Sequence, residues 1–433
     1  MRDFGRSDDP RVQAELDRLA ALSLPQGRLG LETITALLAH LGNPHRRLPP
    51  TFHVAGTNGK GSTCAFLRAM LEAQGYKVHV TTSPHLVRYN ERIRLAGELI
   101  SDAMLADVLA EVLDAGVDLG PSFFEATIAA AFLAFSRVPA DACVVEVGMG
   151  GRFDATNVLE PQVLAACGIA ALGLDHERFL LAPEDGVPKA PMARIAFEKA
   201  GIAKAGVPLA TLHHTYPPEA QETIRAVAAR TGAVLHEGFT NCYAFDGRAS
   251  LLREDYTEVP LIPALAGAHQ ALNLCLAVSM LAIQDRLTVS EAAIVAGASA
   301  ARWPARMQRL GPGPLTALAP DQPVWLDGGH NPSAGAAIAG HFDGPLHLVI
   351  GMIAGKDPRA IIDPLAGRIR SLLVVPVPGH DCHPAEAFGP EARAAPNVAE
   401  ALLRLPTDGY PILITGSLYL AGEVLRLNDE LPL

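Results

Sequence analysis

From about residue 50, short apolar runs bounded by Gly or Pro alternate with longer segments whose apolar residues recur at helical period. "TFHVAG", "KVHVTT", "ACVVEVG" and "VLAACGIAAL" predict strands, and the last three are apolar almost throughout, as strands covered on both faces are. Between them "KGSTCAFLRAMLEAQG", "FFEATIAAAFLAFSRV" and "ARIAFEKAG" predict helices. This order implies an α/β domain on a mainly parallel sheet. Two more helical segments, "LAGAHQALNLCLAVSMLA" and "SEAAIVAGASA", lead to "ARWPARMQRLGPGP", whose Trp-Pro and Gly-Pro punctuation predicts a domain boundary. Beyond it "PVWLDGG", "LHLVIGM", "SLLVVPV" and "PILITG" form a second strand series, separated by "SAGAAIAGHF", "PRAIIDPLAG" and "NVAEALLRL". The expected division is residues 1–299 and a smaller Rossmann-like α/β domain over 300–433.

Composition narrows the function classes. A chain of 433 residues is long enough for two or three domains at roughly 150 residues each. Hydrophobic residues make up 49% and charged residues 19%, a globular balance. The formal net charge of -11 argues against a broad basic face for nucleic acid, while leaving room for a local basic pocket. The polar start "MRDFGRSDDP" lacks a signal-type apolar segment, and the apolar runs fall short of the roughly 20 residues that span a bilayer. A soluble cytoplasmic protein without membrane partners is expected. Cys64, Cys143, Cys167, Cys242, Cys275 and Cys382 are widely spaced without a CxxC pair, so buried free thiols are expected.

One stretch carries phosphate chemistry. "HVAGTNGKGST" departs from GxxxxGK[ST] at Val54 and Gly61, yet it brings a strand through Gly56, Gly59 and Gly61 to a helix N-terminus. There, backbone N–H groups and the helix dipole face an anion, Lys60 reaches its terminal oxygens, and Ser62 or Thr63 approaches magnesium. A Gly-rich turn with a solvated lysine is the plainer alternative; the strand, helix and lysine together favour a P-loop domain. Glu146 lies in the apolar strand "CVVEVGMGG", where a carboxylate is costly unless paired or bound to a cation. It is either an ion-pair partner, as to Arg152, or a metal ligand at the carboxyl edge of the sheet, and the second reading is preferred. His176 in "GLDHERF" and Ser83 in "TTSPHL" end other strands and complete a magnesium set dominated by oxygen.

With these residues in view, the chain resembles the folylpolyglutamate synthase/dihydrofolate synthase family of the Mur-ligase superfamily. Eleven segments in the family's order carry the resemblance over nearly the whole chain: "LGLETITALLAHLGNP", "HVAGTNGKGST", "TSPHLVRYNERIRL", "SFFEATIAAAFLAF", "VVEVGMGGRFDATNV", "GLDHERFL", "IAFEKAGIAK", "LAGAHQALNL", "RWPARMQ", "LDGGHNP" and "ITGSLYLAGEV". The resemblance implies that Gly56, Thr57, Asn58, Gly59, Lys60, Gly61 and Ser62 cradle ATP. It implies that Ser62, Ser83, Glu146 and His176 hold magnesium, two ions being expected. Lys199 matches the lysine this family commonly carbamylates. Ser83 and Pro84 lie in the loop that closes on the pterin, and Phe124, Asp154, Ala155 and Thr156 match residues near it. Asn273, Arg306, Asp327 and His330 match nucleotide contacts, and Ser417 and Tyr419 the region for the incoming amino acid. Without the resemblance, Lys199 and Asn273 read as helix-surface residues, Arg306 as a linker charge and Ser417 as a turn residue.

Several positions depart from the family pattern. "LLAPEDGVPKAP", residues 180–191, is inserted between His176 and Lys199, where the family runs directly into the lysine-bearing helix. A surface loop that leaves the helix in place is expected. "WPAR" and "DGGHN" replace the commoner "WPGR" and "DGAHN", and Gly355 stands where an acidic residue is common. The resemblance implies a monomer, as most of the family is, and a ligation: ATP phosphorylates a carboxylate, and the amine of L-glutamate displaces phosphate from the acyl phosphate. Dihydropteroate and reduced folates are the expected acceptors. The alternatives are folylpolyglutamate synthesis alone, a Mur ligase acting on a UDP-sugar peptide, a P-loop kinase or switch, and a non-catalytic nucleotide-binding module.

Overall fold

The computed structural model describes residues 5–22 and 30–432, the side chain of Arg178 excepted. These residues form two compact units, one running up to Ala264 and resuming at Ala271–Arg302, the other comprising Leu265–Gln270 and the chain from Trp303.

Among the described residues of the first unit, the large sheet has eight strands in the order β4-β3-β2-β5-β1-β6-β7-β8. They are β1 (Thr51–Ala55), β2 (Val78–Thr81), β3 (Ile93–Leu95), β4 (Glu98–Leu99), β5 (Ala142–Glu146), β6 (Leu164–Ile169), β7 (Pro208–Thr211) and β8 (Val234–Glu237). From β2 to β8 all pairings are parallel, and the β3–β4 hairpin adds an antiparallel edge. β1, β5 and β6 are buried along their full length, which accounts for their mainly apolar sequence; Thr51, His53 and Glu146 are the polar exceptions. Burial of a side chain such as Phe52 stabilises the fold by about 1.5–3 kcal/mol. β1 pairs with β5 on one side and β6 on the other, so the segments leaving three adjacent strands emerge on one sheet edge.

A smaller antiparallel sheet follows, with β9 (Cys242–Phe245), β10 (Arg248–Leu252) and β11 (Glu258–Leu261). Here one expectation is corrected. Cys242 on β9 and Cys275 on the helix His269–Ala282 form a disulfide, with Cα atoms 5.6 Å apart and a separation of 33 positions in sequence. The tertiary packing of β9 on this helix brings the pair together, and linear spacing carries no trace of it. Cys64, Cys143 and Cys167 are buried free thiols, and Cys382 is a half-buried one.

The second unit holds a six-stranded sheet in the order β12-β13-β17-β14-β15-β16. Its strands are β12 (Gln308–Arg309), β13 (Val324–Leu326), β14 (Leu346–Ile350), β15 (Ile369–Val374), β16 (Ala392–Ala394) and β17 (Ile412–Thr415). All pairings but β12–β13 are parallel. The helices Pro332–Ala339 and Leu418–Leu427 follow β13 and β17 directly. Among the described residues no helix is long and apolar enough to cross a membrane.

Candidate active site

β1 delivers the chain to Gly56, whose φ is +152°, at the mouth of the phosphate loop. A Cβ at this position would come within 2.9 Å of Ala170 Cβ and 3.2 Å of its Cα. Gly59, at φ +83°, caps the helix Lys60–Ala73 in the left-handed conformation that glycine adopts without penalty, and a side chain there would run into the Asn273 carboxamide. Asn273 is therefore a buried neighbour of the loop and not a helix-surface residue. The amides of Thr57 and Asn58 donate to the Ala171 carbonyl at 2.8 and 3.2 Å. Thr57 Oγ1 donates to the Gly173 carbonyl at 2.9 Å and accepts from the Gly173 amide at 3.1 Å. Lys60 Nζ donates to the carbonyls of Gly56 and Thr57 at 3.1 and 3.3 Å, which places its charge over the loop. Gly61 and Ser62 are buried in the first helical turn, and Thr63 Oγ1 is buried there with no hydrogen-bond partner.

Glu146 ends β5 opposite Val54 of β1, which places its carboxylate beside the loop. It is 5% exposed, and its Oε2 accepts from the backbone amide of Ser83 at 3.2 Å. Ser83 follows β2, the next parallel strand, and precedes Pro84 through a cis peptide bond. The guanidinium of Arg152, the alternative partner for Glu146, binds Glu184 and Glu198. His176 has φ +52° and caps the helix Glu177–Leu180; its amide donates to Asp175 Oδ1 at 2.8 Å, and its Nε2 lies 3.9 Å from Asp175 Oδ2. The structure thus joins Ser83 to Glu146 directly and ties the segment leading to His176 to the phosphate loop through Gly173 and Thr57.

Among the described residues no group of three or more His, Cys, Asp or Glu side chains is arranged to hold a metal. The expected set contains only two such residues, the rest being hydroxyls. A carboxylate, serine hydroxyls and the orphaned Thr63 hydroxyl near a helix N-terminus fit a hard cation bound together with phosphate oxygens.

The segment after β5 packs against this edge. Ser122 and Glu125 form a capping box that starts the helix Phe123–Arg137, fixing Phe124 in its first turn, where the ring lies against Gly148. Asp154 is buried and accepts from the amides of Met149 (2.8 Å) and Thr156 (3.0 Å) and from Thr156 Oγ1 (2.6 Å). Burial raises its pKa against these bonds. Thr156 Oγ1 also meets His53 Nε2 at 2.8 Å, and Ala155 is buried between them in the chain.

In the second unit, Asp327 follows β13 and Ser417 follows β17, two adjacent parallel strands in which Leu326 pairs with Ile414. Asp327 is buried and accepts from the amides of Met307 at 2.8 Å and Gly329 at 2.7 Å. Burial raises its pKa, and the charge of Arg306 opposes that rise. His330 Nδ1 lies 3.2 Å from the Gly328 carbonyl, and the next residue, Asn331, caps the helix Pro332–Ala339. Ser417 Oγ accepts from the Tyr419 amide at 3.2 Å, capping the helix Leu418–Leu427. The Tyr419 ring stands 4.1 Å from that of His380.

No family model matches the chain. The dihydrofolate synthase/folylpolyglutamate synthase of Escherichia coli is 33% identical over 420 residues, covering 93% of this chain and 92% of the relative. The chain belongs to the folylpolyglutamate synthase/dihydrofolate synthase family. The solved structure of E. coli FolC in complex with DHPP and ADP superposes with a TM-score of 0.82 at 29% identity, covering 96% of this chain and 97% of that one. The bifunctional folylpolyglutamate synthase/dihydrofolate synthase of Yersinia pestis, complexed with AMPPNP and Mn ion, matches with a TM-score of 0.79 at 27% identity, over 96% and 97% of the two chains.

In this member of the folylpolyglutamate synthase/dihydrofolate synthase family, Lys199 is buried on the helix Pro191–Ala200 and is no surface lysine. Burial, reinforced by the charge of Lys60, pushes its ammonium down to about 7, while Asp175 and Asp154 pull the other way. In the unfolded chain the same group keeps its proton to its ordinary 10.5, so between about pH 7 and 10.5 the unfolded state binds more protons and stability rises with pH. In CO2-free buffer, the unfolding free energy measured in urea is expected to climb from pH 7.5 to 9.5 by up to about 1.4 kcal/mol per pH unit more than in Lys199→Met. Equal slopes for the two proteins would contradict this.

Sequence reasoning passed over His269, Asp175 and Glu198, and considered Arg152 only as a partner for Glu146. His269 lies close enough to Arg306 for that charge, after burial, to help push its imidazole down to about 4. Asp175 acts electrostatically on Lys199, and Arg152 and Glu198 anchor the segment beside Asp154. His269 lies in the quoted "LAGAHQALNL", Asp175 in "GLDHERFL" and Glu198 in "IAFEKAGIAK", so each was within a recognised segment without a role of its own.

Proposed function

We propose the following division of labour in an ATP-dependent ligase that joins L-glutamate to dihydropteroate and to the γ-carboxylate of reduced folates. The acceptor carboxylate attacks the γ phosphorus of ATP, ADP leaves, and an acyl phosphate forms. The α-amine of glutamate then adds to the acyl carbon and inorganic phosphate departs as the amide closes. Negative charge builds on the transferred phosphoryl group, so positioned cations do most of the catalytic work. Residues 56–62 hold the nucleotide, with Lys60 on its terminal phosphate. Ser62, Ser83, Glu146 and His176 hold magnesium, which when bound neutralises phosphate charge. Phe124, Asp154, Ala155 and Thr156, with Ser83 and Pro84, receive the acceptor.

In the second unit, Arg306, Asp327 and His330 serve the nucleotide, and Ser417 and Tyr419 the glutamate. Lys199 with an amine poised near 7 is neutral often enough to add to CO2, forming an N–C bond as it loses a proton. This supports its assignment as the carbamylated residue. A cytoplasmic location agrees with the reaction's need for ATP.

The observation that carries the reading is the pairing of Glu146 with Ser83 beside the phosphate loop, a carboxylate brought to the edge where a nucleotide's cation belongs. Mass analysis of products from dihydropteroate and from a reduced folate, each supplied with ATP and L-glutamate, tests the double activity. One-glutamate adducts are expected on both. A folate adduct without a dihydropteroate adduct would reduce the enzyme to folylpolyglutamate synthesis alone.

A further inference from the structure

Between the helix Glu177–Leu180 and the helix Pro191–Ala200 runs the segment 181–190, the inner part of the insertion 180–191 that separates His176 from Lys199. Its one deeply engaged side chain among those described is Glu184. Glu184 Oε1 accepts from Arg152 Nη1 at 3.1 Å, and Oε2 accepts from Arg152 Nη2 at 2.5 Å and from Arg194 Nη2 at 2.9 Å. Glu198 binds the same two arginines: Arg152 Nε and Nη2 at 3.1 and 2.8 Å, and Arg194 Nη2 at 3.0 Å. Two guanidiniums and two carboxylates therefore close a ring, with side chains 19%, 6%, 19% and 6% exposed for Arg152, Arg194, Glu184 and Glu198. The Arg152 guanidinium also lies over the rings of Phe153 and Phe197, 4.2 and 4.9 Å from their centroids.

Arg152 is tied down through its backbone as well. Its amide donates to the Glu198 carbonyl at 2.7 Å, and its carbonyl accepts from Asn157 Nδ2 at 2.9 Å. Two residues on is Asp154, whose carboxylate organises residues 149 to 156. The ring therefore clamps the segment that holds Asp154, Ala155 and Thr156 onto the helix bearing Lys199. We propose that Glu184 is a positioning residue for the acceptor: the insertion supplies the second carboxylate without which Arg152 and Arg194 would share Glu198 alone.

This rests on the reading of residues 154–156 as the acceptor's contacts. Without Glu184 the ring carries one excess positive charge in a largely water-excluded place, where like charges repel strongly. Arg152, the more exposed of the two arginines, relieves the repulsion by turning outward, and its segment loosens. The phosphate loop is braced elsewhere, by Ala171 and Gly173.

The test is steady-state kinetics of Glu184→Gln, an isosteric change, with thermal unfolding measured alongside. The KM for dihydropteroate is expected to rise about tenfold while the KM for ATP stays within about twofold, and Glu184→Asp, which keeps the charge, recovers most of the loss. An unchanged KM for dihydropteroate overturns the proposal, as does a parallel rise in both constants, which marks general loosening. Should the Gln variant fail to fold, the same pair of constants in Glu184→Asp decides, an acceptor-only rise being expected there on a smaller scale. If the unaltered protein does not turn over dihydropteroate, the acceptor reading itself has failed, and that is seen before any variant is compared.

Discussion

Replacing Lys60 by methionine is expected to lower kcat/KM for ATP by about a thousandfold, measured as phosphate release in the presence of dihydropteroate and L-glutamate. Methionine keeps an unbranched apolar stem and removes only the cationic head, so the loss reports charge and not packing. The ammonium is held by the carbonyls of Gly56 and Thr57, at the N-terminus of the helix Lys60–Ala73. A cation fixed in this way needs no reorganisation when the phosphoryl group gathers charge, which is why its removal costs more than a surface ion pair would. The same change removes a positive neighbour from Lys199, so the Lys199 ammonium moves upward from about 7. A variant retaining activity within about tenfold of the original would exclude Lys60 from the phosphate site.

Glu146→Gln is expected to raise the magnesium concentration needed for half-maximal turnover by about 10–100-fold. The amide oxygen of glutamine still accepts the Ser83 amide, so the local backbone stays in place while the negative charge disappears. Glu146 is 5% exposed, and neutralising a buried carboxylate removes a desolvation penalty, so the folded protein keeps its stability and lost activity cannot be put down to unfolding. Near-original turnover at low magnesium would remove Glu146 from the ligand set.

The central strands were legible because burial on both faces leaves no polar alternation to obscure them, as in "ACVVEVG" and "VLAACGIAAL". The outer strands β9, β10 and β11 mix buried and exposed positions over four or five residues each, too short for a period to declare itself. Within the site, residues on the phosphate loop were accessible to reasoning because strand, glycines, lysine and helix are contiguous. Lys199 was different. Its helix is buried from Ala193 through Ala200, so the charged pair Glu198–Lys199 sits where a helix pattern would place solvent. The ring of Arg152, Glu184, Arg194 and Glu198 joins residues up to 46 positions apart, and the disulfide joins two cysteines across two kinds of element. Such contacts depend on packing alone, and the linear pattern of charges and thiols is the same whether or not they form.

The packing around Gly56 and Gly59 also bears on engineering. The first glycine is closed off by Ala170, beyond the end of β6, and the second by Asn273 on a helix more than two hundred residues away in sequence. The shape of the loop is therefore a property shared with its neighbours. A transplant of residues 53–63 into another parallel sheet would carry the glycines without the walls that hold them, and a donor graft would have to bring along a small residue at the position of Ala170 and a carboxamide at that of Asn273.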